Sequence, residues 1–396
     1  MSRIRVVFSI GSMDCGGAER QLCALLRHLN RDKIEPLLYL VYRSGPLLAE
    51  LPDDVAVTAF EERYTGSQRL GFLMHGRRVR DMVRYLQECQ ADVCYDRTFL
   101  MTLIAADAAQ RAGVPNVSTV VTDPTLGFAP VAGRHQWAKK RILRRLYNRS
   151  TCVLANSTGA ARSAERFYGL REGCVSTLYN GLDFERVQSD AASKIDDAWW
   201  NATSEAGKCF RIVTAGRVNE QKGFHLLVDA VGRLQEQFPE VKFRLAILGE
   251  GPSRQKLQQK ISDLGLASSV RLMGFRSDAP AWYKSADLFV LPSFLEGMPN
   301  VLLEAMACGT AVLSTDCPSG PREILQDGTF GELCEVGSVE ALVAGISKFV
   351  ADDHFAERYV ESGQNHVKQQ FSIQNAAAKL EDVLRAAASA KTITAR

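Results

Sequence analysis

The chain opens on a short apolar run, Ile4, Val6, Val7, Phe8 and Ile10, and then changes period. From Ala18 to Leu29 the apolar positions are Leu22, Leu25, Leu26 and Leu29, the spacing of one helix face. This alternation of β-rich run and amphipathic helix recurs down the first half. It predicts strands at 4–10, 36–41, 55–60, 92–95, 116–121, 151–155 and 175–179, with helical segments between most of them. A polar stretch at 189–208, rich in Asp, Ser and Ala, reads as a linker, with Trp199 and Trp200 as docking points. The same grammar then restarts with a strand at 210–215 and a helix at 223–238 whose stripe is Leu226, Leu227, Ala230, Val231, Leu234 and Phe238. Further strands are predicted at 242–248, 270–273, 288–291 and 311–314. A helix at 372–388 carries Ala377, Leu380, Val383 and Leu384 roughly in phase, and residues 391–396 are expected to fray. Apolar strands alternating with amphipathic helices imply parallel sheets covered on both faces. The pattern therefore predicts an α/β chain of two doubly wound units in tandem. Ligands of such sheets sit outside the carboxyl ends of the strands, and the crevice between two units is the default site.

Composition narrows the class. With 46% hydrophobic and 23% charged residues over 396 positions, the chain has room for two ordinary cores. No apolar run approaches the ~18 residues that a membrane span needs. The first ten residues hold Arg3 and Arg5 but no long apolar core or cleavage site, so they read as a strand and not a signal peptide. The Asn-x-Ser/Thr matches at Asn116, Asn148, Asn156 and Asn201 then carry no weight, and the expected setting is cytoplasmic. Ten cysteines without a CxxC pair, and six scattered histidines, read as reduced thiols with no metal site.

Charge is more telling in its distribution than in its net value of +3. Residues 1–190 carry 26 Lys or Arg against 20 Asp or Glu, and residues 191–396 carry 22 against 25, so the front half is expected to meet something anionic. The segment 134–149 holds seven cations and no acid: Arg134, Lys139, Lys140, Arg141, Arg144, Arg145 and Arg149. Trp137, Ile142, Leu143, Leu146 and Tyr147 interleave them. Such a helix could make peripheral contact with an anionic membrane at the inner face of the cytoplasmic membrane. Alternatively it is a domain helix with a buried apolar stripe and a solvated basic face. No nucleic-acid motif accompanies it, and no nucleic-acid partner is expected.

Four strand-to-helix loops carry candidate chemistry. The richest runs from Phe294 to Gly309. Gly297 allows close approach to the backbone, Pro299 suits a first helical turn, and the amides near Met298, Asn300 and Val301 form a ready anion site. Glu296 and Glu304, eight residues apart, are acceptor-only groups able to grip vicinal hydroxyls of a sugar or ribose. Taken alone the pair is as well explained by a helix-start acid and a surface residue; the glycine, the proline and the strand-loop-helix setting favour the functional reading. The second loop, Gly216 to Gly223, offers Arg217 and Lys222, a planar fork and a point charge that can neutralise a diphosphate without metal. The third holds Gly16 and Gly17 at a helix start; with Gly11 they do not match G-x-G-x-x-G, which disfavours a dinucleotide-binding dehydrogenase. The fourth, with Gly249, Glu250, Gly251 and Pro252, adds a glycine-lined wall.

In combination these loops resemble the retaining GT-B glycosyltransferases of the family four type, also called glycosyl transferases group 1. The matching residues are Gly16 to Arg20, Asn180-Gly181-Leu182-Asp183, Gly216-Arg217 with Lys222-Gly223, Gly249 to Pro252, Gly274-Phe275, Leu291-Pro292-Ser293, and Glu296 with Glu304. Gly16-Gly17-Ala18-Glu19-Arg20 and Ser319-Gly320-Pro321-Arg322-Glu323-Ile324-Leu325 are further similar to bacterial transferases that extend lipid-linked or polysaccharide glycans with N-acetylhexosamines. The resemblance implies two Rossmann-like domains facing a cleft: an acceptor-side domain 1–188, a linker 189–208, a nucleotide-sugar domain 209–371, and a helix and tail 372–396 crossing back to the first domain. It implies a UDP- or GDP-linked sugar donor and no other cofactor. Arg217 and Lys222 would meet the diphosphate, Glu304 the ribose and Glu296 the transferred sugar. Gly216, Gly249, Glu250 and Gly297 to Val301 would line the donor, Phe275 would lie near the base, and Gly16 and Gly17 would close over the diphosphate. Many relatives carry a His or another sugar-bonding group after the fifth strand; here the polar candidate is Asp123, which before Pro124 is equally an ordinary turn.

The expected activity is metal-independent transfer of a hexose or N-acetylhexosamine to a glycan or lipid-linked glycan, with Glu296, Arg217, Lys222 and Asp123 as catalytic candidates. A nucleotide-sugar-binding module without turnover and a sugar-nucleotide epimerase are the alternatives. Acceptor contacts are expected in the loops 64–76 and 122–134.

Overall fold

The computed structural model describes residues 3–64, 71–202, 208–352 and 354–394. Parts of the expected acceptor loop (65–70), linker (203–207) and tail (395–396) lie outside the described residues. The chain divides into two compact units, Met1–Gly181 with Ile373–Arg396, and Leu182–Ser372.

The first unit is built on seven parallel strands: β1 Ile4–Ile10, β2 Ile34–Leu40, β3 Ala56–Ala59, β4 Val93–Arg97, β5 Asn116–Val120, β6 Cys152–Ala155 and β7 Val175–Thr177. Their order across the sheet is β3-β2-β1-β4-β5-β6-β7. One face is covered by the helices Gly17–His28 and Ile373–Thr394, which bring Leu22, Leu25 and Leu26 together with Leu380 and Leu384. The other is covered by Gly71–Glu88 and Phe99–Ala112, through Met82, Leu86, Ala105 and Ala108. Glu381 ties the last helix down, accepting from the Asn30 amide at 2.7 Å and from Lys33 Nζ at 3.2 Å.

The second unit has six parallel strands: β8 Cys209–Ala215, β9 Lys242–Leu248, β10 Val270–Gly274, β11 Leu288–Leu291, β12 Val312–Thr315 and β13 Glu332–Cys334, in the order β10-β9-β8-β11-β12-β13. The helix Phe224–Gln237 buries Leu227, Val231 and Leu234 against Ile212, Phe243 and Leu245. Both units thus have the doubly wound form that the periodicity predicts.

Three details differ from the expectation. β13 was not anticipated: three half-buried residues are too few to show a period. The strand expected at 55–60 stops at Ala59, and Phe60 opens the one-turn helix Phe60–Arg63. The division falls at Gly181, ahead of the expected boundary at 188, because the helix Phe184–Ala191 packs on Ala279–Lys284 and Asn300–Ala307 of the second unit. The described part of 189–208 is docked as well. Trp200 is fully buried 5.2 Å from the Trp282 ring, its indole N–H donates to Ser285 Oγ at 2.8 Å, and buried Arg244 donates to its carbonyl at 3.0 Å. Among the described residues, no helix is long and apolar enough to cross a membrane.

Each strand order reverses once, between β1 and β4 in the first sheet and between β8 and β11 in the second. At such a point the following loops turn to opposite faces and leave a crevice at the carboxyl edge.

Candidate active site

The loops after β8 and β11, on either side of the second switch point, carry Arg217, Lys222 and Glu296. They are stitched together along the backbone: the Phe294 amide donates to the Gln221 carbonyl at 2.8 Å, and Gln221 Nε2 donates to the Leu295 carbonyl at 2.8 Å. Asn219 starts the turn by accepting the Lys222 amide at 3.2 Å on its side chain. Gly216 lies at φ +147°, and a Cβ there would stand 3.2 Å from Lys222 Cε, so the lysine runs back across the end of β8.

This path delivers Lys222 Nζ to Glu296 Oε1 at 2.6 Å. Ser293 Oγ donates to the same oxygen, also at 2.6 Å. Among the described residues no hydrogen bond or ion pair is recorded to Glu296 Oε2. Glu296 is 7% exposed, so its charge is compensated by a cation and a hydroxyl within a largely desolvated edge. Cys317 reports the same surroundings: burial first, then the Glu296 charge, push its thiol up to about 12. Arg217 is exposed and, among the described residues, makes no side-chain hydrogen bond or ion pair.

The remaining second-unit candidates lie in this loop or at the same sheet edge. Gly297, Met298 and Pro299 are buried, and Pro299 is the N-cap of the helix Asn300–Ala307 rather than a residue of its first turn. Behind them a Cβ on Gly320 (φ +91°) would stand 2.6 Å from Pro299 Cδ and 2.9 Å from Gly297 O, so the turn through Ser319 backs the Glu296 loop. Asn300, Val301 and Glu304 are half-buried, and Tyr283 Oη donates to Glu304 Oε2 at 3.4 Å. Further along the edge, the Gly216 amide donates to the Leu248 carbonyl at 3.0 Å and the Gly249 amide to the Gly274 carbonyl at 2.7 Å. Glu250 Oε1 pairs with Arg254 at 3.3 Å, and Phe275 is 53% exposed beside them. A cavity of about 280 Å³ adjoins Asn219 and Lys256 but takes in none of Arg217, Lys222, Glu296 or Glu304.

Gly16, Gly17 and Asp123 belong to the first unit. Gly16 is the N-cap of Gly17–His28, with the Glu19 carboxylate occupying the space its missing side chain leaves. Asp123 caps Pro124–Ala132: its Oδ1 accepts the Thr125 amide at 2.8 Å and the Ser163 hydroxyl. This is the turn role that Asp before Pro allows. Ser293 and Tyr283 were not assigned roles from sequence; a hydroxyl three residues before Glu296 was the available signal for the first, and nothing local marks the second. Among the described residues no group of three His, Cys, Asp or Glu side chains comes together as a metal site.

Arranged this way, the edge offers one free-reaching guanidinium, one lysine held by a carboxylate, and two carboxylates able to accept from hydroxyls. That set suits a ligand bearing both an anionic and a polyhydroxylic part. Comparison with known proteins points the same way. Over 229 residues the chain is 30% identical to the N-acetylgalactosamine-N,N'-diacetylbacillosaminyl-diphospho-undecaprenol 4-alpha-N-acetylgalactosaminyltransferase of Campylobacter jejuni, covering 58% of this chain and 59% of that protein. It is 32% identical over 227 residues to the lipopolysaccharide core biosynthesis glycosyltransferase LpsE of Rhizobium meliloti, covering 57% and 62%. The chain thus spans about three fifths of the length of these relatives. It shares the fold of Anabaena Alr3699/HepE, crystallised with UDP-glucose, at a TM-score of 0.79 and 23% identity over 97% of this chain and all of that one. The model of glycosyltransferase family 4 matches residues 15–186 and that of glycosyl transferases group 1 matches residues 197–366, so nearly the whole chain is accounted for, and it belongs to the GT-B glycosyltransferases of this group.

Proposed function

We propose that this protein transfers a hexose or N-acetylhexosamine from a nucleoside-diphosphate sugar to a glycan or lipid-linked glycan, with retention at the anomeric carbon and without a divalent metal. The observation that carries the reading is the Lys222–Glu296 pair at the second switch point, with Arg217 reaching out beside it. The C. jejuni relative is named as a transferase for a diphospho-undecaprenol-linked acceptor, and HepE was crystallised with UDP-glucose, which supports the substrate classes.

In the reaction the anomeric C–O bond to the diphosphate breaks as an acceptor hydroxyl oxygen bonds to that carbon on the same face, and the hydroxyl proton passes to the departing diphosphate oxygen. Negative charge grows on the departing diphosphate. Arg217 supplies a planar fork and Lys222 a point charge for it, and cations aimed at developing charge contribute most in a water-poor site. Glu296, fixed by Lys222 and Ser293 through Oε1, accepts a hydroxyl of the transferred sugar on Oε2. Glu304 accepts from the ribose hydroxyls, and exposed Phe275 offers a face to the base.

A thermal-shift panel of UDP- and GDP-sugars in EDTA tests the reading, since a ligand bound only by the folded state raises its stability. Stabilisation by one sugar nucleotide, followed by slow donor hydrolysis without acceptor, is expected. Binding without hydrolysis would make the protein a non-catalytic module; an epimerised sugar in the recovered donor would make it an epimerase.

A further inference from the structure

Among the described residues eight large hydrophobic side chains are exposed, and four of them sit on two consecutive helices of the first unit: Leu126 and Val131 on Pro124–Ala132, and Trp137 and Ile142 on Gln136–Arg149. Trp137 is 74% exposed. The first of these helices has no charged residue and is held by Phe128 and Ala132, which are buried. The second divides its apolar residues. Leu143, Leu146 and Tyr147 are buried, whereas at 100° per residue Trp137, Arg141, Arg145 and Asn148 share the opposite side with Ile142 and Arg149 at its flank, all exposed. The reading of an ordinary domain helix thus accounts for three of the five large apolar residues and leaves Trp137 and Ile142 without a role.

The cations divide too. Lys139 donates to the Ala132 carbonyl, tying the two helices together, and Lys140 Nζ lies 3.9 Å from the centre of the Phe167 ring. Those two serve the fold. Arg134, Arg141, Arg144, Arg145 and Arg149 are exposed, with no acid on either helix.

We infer that these two helices form a docking surface for an anionic lipid bilayer, with Leu126, Val131, Trp137 and Ile142 entering the headgroup region and the outer arginines meeting lipid phosphates. Exposed apolar side chains among cations are what such an interface rewards: the apolar groups leave water, Trp favours the headgroup level, and each guanidinium gains from the surface potential. A second copy of the chain fits less well, since a self-complementary contact would set two acid-free basic faces against each other. Nucleic acid would use the arginines but leave the four apolar side chains unexplained. The inference stands independently of the sugar-transfer reading and adds a partner to it.

The full chain is to be co-sedimented with vesicles of phosphatidylcholine alone and of phosphatidylcholine mixed with phosphatidylglycerol, at low and high salt. Sedimentation with the mixed vesicles only, reversed by salt, is expected. Arg141→Gln with Arg145→Gln should lower the partition coefficient about thirtyfold at low salt, the effect of two surface cations. Trp137→Ala with Ile142→Ser should lower it at least about tenfold. Both variants should keep the wild-type melting temperature and the wild-type stabilisation by UDP- or GDP-sugars, since all four side chains are exposed on the first unit. Equal partitioning of wild type and variants, or equal binding to both vesicle types, overturns the inference. So does a wild-type dimer in vesicle-free solution that Trp137→Ala dissociates, or binding to an arbitrary oligonucleotide in place of vesicles.

Discussion

The two sheets reverse their strand order at equivalent places, and the polar groups beside the two reversals are handled differently. At the end of β4 in the first unit, Asp96 is fully buried and accepts from the Thr102 and Ser118 hydroxyls; burial pushes its carboxyl up to about 7 although both hydrogen bonds pull it down. Its neighbour Arg97 is 2% exposed and, among the described residues, donates to neutral oxygens, Tyr95 Oη at 3.2 Å and Asn180 Oδ1 at 3.3 Å. At the ends of β8 and β11 in the second unit, a lysine and a glutamate meet at 2.6 Å while Arg217 stays in water. One edge spends its charges on holding its own strands and loops. The other keeps a cation free and a carboxylate oriented. The shared fold is silent on this difference; the side chains at the switch point carry it.

The comparison breaks most visibly at Lys222. Lys222→Ala leaves the Glu296 carboxylate with Ser293 alone in a desolvated edge, and should destabilise the second unit by ~3 kcal/mol while cutting kcat by about 10²-fold. Arg217→Ala should cut kcat as much and leave stability within about 0.5 kcal/mol of wild type, as expected for an exposed side chain. Denaturant titration beside steady-state rates separates the two effects. Equal stability losses for both variants would mean that the two cations do not divide the work as described.

Asp96 sharpens the other side. An unfolded aspartate loses its proton near 3.8, while folded Asp96 keeps it to about 7. Folding therefore takes up a proton between those values. The contribution is fully present below 3.8 and is lost as pH rises through 7, by at most about 1.4 kcal/mol per pH unit. Asp96→Asn should flatten this slope for first-unit amides in hydrogen exchange measured across the window, and leave second-unit amides unchanged. A slope in the variant as steep as in wild type would show that Asp96 is not its source.

Smaller again is Glu304. Glu304→Gln keeps the size and one acceptor oxygen of a half-buried side chain, so it should fold normally and weaken sugar-nucleotide binding by roughly 1–3 kcal/mol in calorimetry. Unchanged affinity would remove it from the site.

Much of this was legible in the sequence because it is periodic or local. The helix stripe of Leu227, Val231 and Leu234, the strand runs, and the glycines and charges at strand ends can each be seen within a window of about a dozen residues. Glu296 and Lys222 were separately legible as candidates. Their meeting was not, since the two are 74 positions apart and are joined by the β8–β11 pairing and the loop hydrogen bonds beyond it. Trp199 and Trp200 were legible as docking points within the linker stretch, but the partners of Trp200 were not, since Trp282 and Ser285 lie more than 80 positions on. Composition showed that the helix Gln136–Arg149 is basic and part apolar, but not that Leu143 would be covered and Ile142 left bare. For Asp123 both readings were open, and the structure places it as a helix cap.

The central claim is that Arg217 and Lys222 do the work of a metal at the departing diphosphate. It is tested most directly by donor turnover in EDTA-treated protein, with and without added Mg²⁺ or Mn²⁺, for wild type and for the Arg217→Ala/Lys222→Ala double variant. Wild-type turnover should be nearly indifferent to metal, and the double variant should lose at least about 10²-fold in kcat. An absolute metal requirement, or a double variant with full activity, would contradict the account.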